Sequence, residues 1–220
     1  VENSTEGMVS HTLDAFINSP LKICGELELR IRLHLLVSKD GKDKPITRIC
    51  AHQQALAQSR RWLDAHYPGI ERSAVSSNGE AARMAAEEEG VAAVAGELAE
   101  QQYGLTQLAA NIEDQPDNTT RFLIIGREDV AASGRDKTSL VVSARNRPGA
   151  LFKLLEPFQK ADVMLTRIDT RPSRTEPWTY VFFIEFEGHR DDAIIVDILN
   201  DIEQHSIMFK VLGSYPKAAI

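Results

Sequence analysis

From Thr138 to Pro216 the apolar residues switch between a period of two and a helical period, in an order that few folds accommodate. TSLVVSAR (138–145) reads as a strand, NRPG (146–149) as a turn and ALFKLLEPFQKA (150–161) as a helix. DVMLTRIDTR (162–171) is a second strand, PSRTEP (172–177) a turn and WTYVFFIEFEG (178–188) a third strand. DDAIIVDILNDIEQ (191–204) is a second helix and IMFKVLGSYP (207–216) a last strand. The order βαββαβ predicts a ferredoxin-like domain with a core of its own.

The chain before it alternates differently. Residues 7–18 carry Met8, Val9, Leu13, Phe16 and Ile17 at helical spacing. Residues 21–37 alternate instead. Leu27, Leu29, Ile31, Leu33 and Leu35 fall on one face, and Glu26, Glu28, Arg30, Arg32 and His34 on the other. That pattern predicts one strand with a wet face. SKDGKDKP is a loop, ITRICA a strand, and residues 52–67 an amphipathic helix stopped by Pro68-Gly69. ERSAVSS, VAAVAG and NTTRFLIIGRE read as strands, with helices at NGEAARMAAEEEG and GELAEQQYG between them. The βα alternation predicts a mostly parallel sheet with helices on both faces. EDVAASGRDK is small and polar, a linker by composition. The domain boundaries expected are therefore 1–128, a linker at 129–137, and 138–220.

Composition narrows the function. Of 220 residues 43% are hydrophobic and 26% charged, with a net charge of −7. That is a globular composition without the basic footprint of a nucleic-acid binder. No apolar run is long enough for a membrane span, and no secretory segment opens the chain. Cys24 and Cys50, each inside an apolar run, read as small buried hydrophobes. Neither metal-ligand spacing nor a glycine-rich phosphate loop is present.

Three stretches can carry chemistry. In VENSTEG (1–7), Ser4 or Thr5 either caps the following helix or, with Gly7, leaves backbone N–H groups facing an anion. In NTTRF (118–122), Thr120 can donate to a leaving oxygen and Arg121 can fork onto a carboxylate; the same residues also suit an exposed edge strand. Gln54 and Gln58 sit four apart on one side of the helix that begins near His52, which serves as a cap or a solvated side chain. In the second domain, Gly149 lets N–H groups approach a ligand at a strand-to-helix turn, and IDTRPS ends the next strand.

Taken in order, ENSTEG, the His52-to-Gln58 helix, SSNGEAA, TRF, GAL and DTRP resemble prephenate dehydratase followed by a phenylalanine-responsive ACT domain. GAL and DTRP alone also resemble the regulatory domain of aromatic amino acid hydroxylases, which lacks ENSTEG and TRF. The resemblance implies a two-lobed, periplasmic-binding-protein-like α/β unit with its substrate in a cleft. By motif, the catalytic residues would be Thr120, Glu2, Asn3 and Gln58, and the substrate-binding residues Ser4, Thr5 and Arg121. The effector L-phenylalanine would meet Asn146, Gly149, Ala150 and Leu151, and Asp169, Thr170, Arg171 and Pro172. Thr120 would assist departure of the ring hydroxyl, Glu2 would be a general acid or an acceptor, and Asn3 and Gln58 would orient.

The resemblance further implies a cytoplasmic homo-oligomer, dimer or tetramer, that pairs through its ACT domain. It implies no metal or organic cofactor, no nucleic acid and no membrane. The chain departs from the family at Ala51, where Ser is frequent, at Ser59, where Cys is frequent, and at DTRP in place of ESRP. The family also has a segment ahead of ENS, so most of a first lobe is expected to be missing here, and a chorismate mutase can precede it in some members. The alternative is a phenylalanine-sensing ACT protein with a degenerate or truncated dehydratase part.

Overall fold

A computed structural model describes residues 2–3, 7–8, 10–144, 147–173 and 179–218, with the side chains of residues 7, 8, 10 and 11 excepted. Ser4, Thr5 and Asn146 lie outside the described residues. Contacts divide the chain into two compact units. One comprises Val1–Glu2, Gly7–Leu29 and Arg121–Ile220, the other Asn3–Glu6 and Arg30–Thr120.

The first elements are strand β1 (Glu2–Asn3), strand β2 (Gly7–Met8), helix α1 (Ser10–Asn18), strand β3 (Lys22–Arg30) and strand β4 (His34–Val37). The helix expected from residue 7 thus starts at Ser10. Residues 21–37 form two strands in two different sheets, not one. Glu28, Arg30 and Arg32 are exposed and Leu33 and Leu35 buried, as expected, but four positions are inverted. Glu26 is buried, with 1% of its side chain exposed, whereas Leu27 and Leu29 are 47% and 46% exposed. His34 is buried too, and its Nδ1 accepts from the Asn111 N–H at 3.2 Å. At those four positions what covers each side of the strand, and not the alternation itself, decides which residue is buried.

The chain continues through strand β5 (Arg48–His52), helices α2 (Gln53–Gln58) and α3 (Arg60–His66), strand β6 (Glu71–Val75), helix α4 (Asn78–Glu87), strand β7 (Val91–Ala95), helix α5 (Glu97–Tyr103) and strand β8 (Thr106–Ala109). The five-stranded sheet runs β6-β5-β7-β4-β8. β5 is parallel to β6 and β7, while β4 is antiparallel to β7 and β8. Its central strands β5, β7 and β4 are buried on both faces, which is why they read as apolar runs. Leu35, Ile49, Ala51, Val94 and Leu63 pack on the α2–α3 side. Leu36, Cys50 and Ala93 pack against Ala81, Ala82 and Ala85 of α4, whose small side chains allow close approach.

The single helix expected over 52–67 breaks at Ser59. The Ser59 hydroxyl donates to the Ala55 carbonyl at 2.7 Å, competing with the backbone bonds at the break. The Asp114 carboxylate then accepts from the N–H groups of Arg61 (2.9 Å) and Trp62 (3.1 Å), capping α3 from far along the chain. The short edge strand β8 has too few alternating residues to be read from sequence; its pairing with β4 makes it a strand.

Strand β9 (Thr119–Gly126) leads into strand β10 (Asp136–Ser143), helix α6 (Ala150–Lys160), strands β11 (Leu165–Pro172) and β12 (Tyr180–Glu187), helix α7 (Ala193–His205) and strand β13 (Met208–Pro216). The antiparallel order β11-β12-β10-β13 is the expected ferredoxin-like sheet. One face carries α6 and α7 over Leu140, Val142, Ile184 and Phe186. The other face, with Val141, Phe183, Leu212 and Tyr215, packs against Leu13 and Phe16 of α1 and Ile23 of β3. A Cβ on Gly213 would sit 2.1 Å from the Ile23 carbonyl oxygen, so only glycine allows that approach. The Lys210 ammonium caps α1 by donating to the carbonyls of Phe16 (2.7 Å), Ile17 (3.2 Å) and Ser19 (2.6 Å), and its burial pushes its pKa down. The remaining sheet runs β2-β1-β9-β3.

Candidate active site

In the second unit, the carboxyl ends of parallel strands β5 and β6 open onto a cleft of about 280 Å³. Ligands of open α/β sheets bind at that end of the strands. The lining comes from Asn3, Ile31, Leu33, His52, Gln54, Ala55, Gln58, Ser76, Ser77, Asn78 and Thr120. Three of the four expected catalytic residues, Asn3, Gln58 and Thr120, are therefore brought together.

Their geometry is specific. The Asn3 amide donates one N–H to Thr120 Oγ1 at 2.9 Å and the other to Asn118 Oδ1 at 2.8 Å. The second contact fixes the orientation of the amide. Thr120 Oγ1 therefore accepts from Asn3, and its own proton remains available to a ligand. Gln54 and Gln58, one turn apart on α2, present two further amides. His52 caps α2, its Nδ1 accepting from the Gln54 N–H at 3.3 Å, and its own N–H donates to Asn78 Oδ1 at 2.9 Å.

Ser76, Ser77 and Asn78 line the cleft without having been singled out as site residues. The signal was present in SSNGE: Ser77 Oγ accepts from the Glu80 N–H at 3.0 Å, and Glu80 accepts in return from the Ser76 N–H at 3.0 Å and the Ser76 hydroxyl. Those Ser76 bonds hold the Glu80 carboxyl below its usual range. A capping box directly after a parallel strand aims a helix N-terminus at the cleft.

Two expected site residues point elsewhere, and both corrections have one cause. Successive side chains of a strand project to opposite faces. Asn3 and Thr120 face the cleft, so their neighbours Glu2 and Arg121 do not. Glu2 is ion-paired with Arg167 of β11. Arg121 is buried; its Nε donates to Glu26 at 2.7 Å, and its Nη2 to Glu185 at 2.7 Å and to the Tyr215 hydroxyl at 3.3 Å. Lys137 completes the cluster at 3.1 Å from Glu26 and 3.6 Å from Glu185. The Arg121 fork is thus spent on the protein's own carboxylates. Among the described residues the polar groups of the cleft lining are amides, hydroxyls and one imidazole, without a carboxylate, guanidinium or ammonium.

The cluster sets a pH dependence. Burial alone would push the Glu185 carboxyl up, but the Arg121 guanidinium beside it outweighs that and holds it below its ordinary value of 4.5. A lowered folded-state pKa means that the unfolded chain binds more protons in that window. The stabilisation is complete above about pH 4.5 and is lost as pH falls below it. Urea unfolding measured down through that pH is expected to show a shallower acid decline in Glu185→Gln than in the parent; an equal decline would assign the acid sensitivity to other carboxylates.

The effector motifs lie in the first unit. Gly149 takes a left-handed φ of 79° as the N-cap of α6, with Ala150 and Leu151 following at the surface. Val181 pairs with both Ser143 of β10 and Arg171 of β11. The GAL and DTRP motifs therefore stand at the same end of the sheet. Asp169 makes an ion pair of 2.9 Å with Arg167, and Thr170, Arg171 and Pro172 continue the strand.

Residues 1–130 match the family described as prephenate dehydratase, and residues 138–204 match the ACT domain. The chain is 56% identical over 220 residues to a bifunctional chorismate mutase/prephenate dehydratase of Pseudomonas aeruginosa, covering 100% of this chain and 60% of that protein's length. Among solved structures, a prephenate dehydratase from Arthrobacter aurescens in complex with L-Phe superposes with a TM-score of 0.87 at 34% identity, over 97% of this chain and 72% of the other. A protein described as a novel type of quorum-quenching acylase, GqqA, superposes with a TM-score of 0.85 at 29% identity, over 99% of this chain and 80% of its own.

Proposed function

Since this chain belongs to the prephenate dehydratase family, we propose that it serves the decarboxylating dehydration of prephenate to phenylpyruvate, in phenylalanine biosynthesis, under feedback by L-phenylalanine through its ACT domain. The observation that carries the reading is the Asn3–Thr120 contact of 2.9 Å inside a cleft lined by amides and hydroxyls. In the reaction one C–C bond breaks to release carbon dioxide. Its electron pair enters the ring, and the ring hydroxyl leaves with a proton as water. Aromatisation supplies the driving force, so the site needs no strong nucleophile. It needs to hold two carboxylates and help a hydroxide depart.

Thr120 donates its hydroxyl proton toward the leaving oxygen while Asn3 supports the charge left on Oγ1. Gln54, Gln58 and Asn78, together with the N-terminal end of α4, orient the carboxylates. Ser4 and Thr5 are proposed beside them on motif alone. The Ser76 hydroxyl donates to Glu80, Ser77 Oγ accepts from the Glu80 N–H at the α4 cap, and His52 Nδ1, which would have to act as the base of a hydroxyl–imidazole pair, serves the α2 cap. That arrangement suits elimination better than acyl transfer by a hydroxyl–imidazole pair.

The functional division follows the motifs: dehydratase 1–128, linker 129–137 and ACT domain 138–220. Asn146, Gly149, Ala150 and Leu151, with Asp169, Thr170, Arg171 and Pro172, form the effector site, completed in a cytoplasmic homo-oligomer joined through ACT sheet edges. The test is phenylpyruvate formation from prephenate with and without L-phenylalanine. Turnover suppressed by phenylalanine is expected. Phenylalanine binding without turnover would instead identify a sensor on an inactive dehydratase.

A further inference from the structure

The two residues that meet in the cleft, Asn3 and Thr120, are each one peptide bond from a charged side chain held by the ferredoxin-like sheet. Arg121 is gripped by Glu185 of β12 and Tyr215 of β13, with Glu26 of β3 closing the other side. That grip is buried and fully balanced, a fixed anchor. Glu2 is gripped by Arg167 of β11, and this grip is open: the same guanidinium also pairs with Asp169 at 2.9 Å. Asp169 begins the DTRP motif. One fork thus serves two carboxylates, one beside the cleft residue Asn3 and the other inside the effector motif.

We propose that Arg167 is a positioning residue for the dehydration, holding Asn3 in register with Thr120 through Glu2 and placing that hold under the control of the effector strand. The inference rests on the dehydratase reading for its kinetic consequence, but not for its structural one. A charged amino-acid effector engaging Asp169 changes that residue's claim on Arg167, and with it the restraint on Glu2. Neither Glu2 nor Arg167 lines the cleft, so the effect on the reaction passes through the backbone of residues 2 and 3. Displacements of this kind reach the rate before they reach binding, since misplacement by about 1 Å can cost roughly 100-fold.

The experiment uses the natural full-length protein and the variants Arg167→Gln, Arg167→Lys and Glu2→Gln. Arg167→Gln is expected to lower kcat by roughly 10- to 100-fold with KM changed much less, and Arg167→Lys to recover part of the loss. Arg167→Gln combined with Glu2→Gln should be no worse than either alone, because both cut the same link. Independently of turnover, amide hydrogen exchange at residues 2–3 should rise in Arg167→Gln. In the parent, L-phenylalanine should change that exchange; in Arg167→Gln it should still bind by calorimetry without doing so. Losses that add in the double variant, or exchange unaltered by Arg167→Gln, would overturn the proposal. A parent that never turns over prephenate would overturn the dehydratase reading alone, leaving the exchange result to decide on Arg167.

Discussion

Thr120→Ala is expected to lower kcat for phenylpyruvate formation by roughly 10²–10⁴-fold, the range over which a positioned proton donor acts. KM should change far less. The hydroxyl accepts from Asn3 at 2.9 Å in the resting site, and its proton gains most when the leaving oxygen acquires charge, which happens only in the transition state. Thr120→Ser keeps the hydroxyl and should retain most of the rate. Thr120→Val keeps the β-branched shape but leaves the Asn3 N–H without its acceptor, and should behave like alanine. Steady-state kinetics on the three variants checks this. Equal turnover in Thr120→Ala and the parent would remove Thr120 from the mechanism and shift attention to Ser76 and Ser77 across the cleft.

Arg121→Ala is expected to act on stability before it acts on catalysis. The change leaves Glu26 and Glu185 buried with Lys137 as their remaining cationic partner in the cluster. Removing one partner of a buried ion pair costs about 3–5 kcal/mol, a large share of the stability of an ordinary domain. Urea unfolding should show the loss in the absence of any substrate. Arg121→Lys should recover little, because a point ammonium cannot replace a fork that serves Glu26, Glu185 and Tyr215 at once. A stable Arg121→Ala protein with a raised KM would mean that the guanidinium serves the substrate after all.

The sequence by itself determined most of the local structure. The period switches of 138–216 were enough for βαββαβ, because each element there buries one regular face in a single shared core. The apolar runs at β5 and β7 announced a sheet covered on both sides. Asn3, Gln58 and Thr120, named through their motifs, line one cleft. Tertiary structure decided which face of each strand did which work. Alternation reports that two faces differ, and it is silent on what covers them. Glu26 looked solvated and Leu27 apolar-inward until Arg121 and Lys137, distant in sequence, supplied the partners that make a buried carboxylate stable. Arg121 looked like an anion holder until parity with Thr120 turned it away from the cleft. The break at Ser59 depended on Asp114, a cap that no local pattern contains. For Glu26 and the Ser59 break the deciding partner was a charged group from another part of the chain, and burial of a charge is favourable only where such partners already stand.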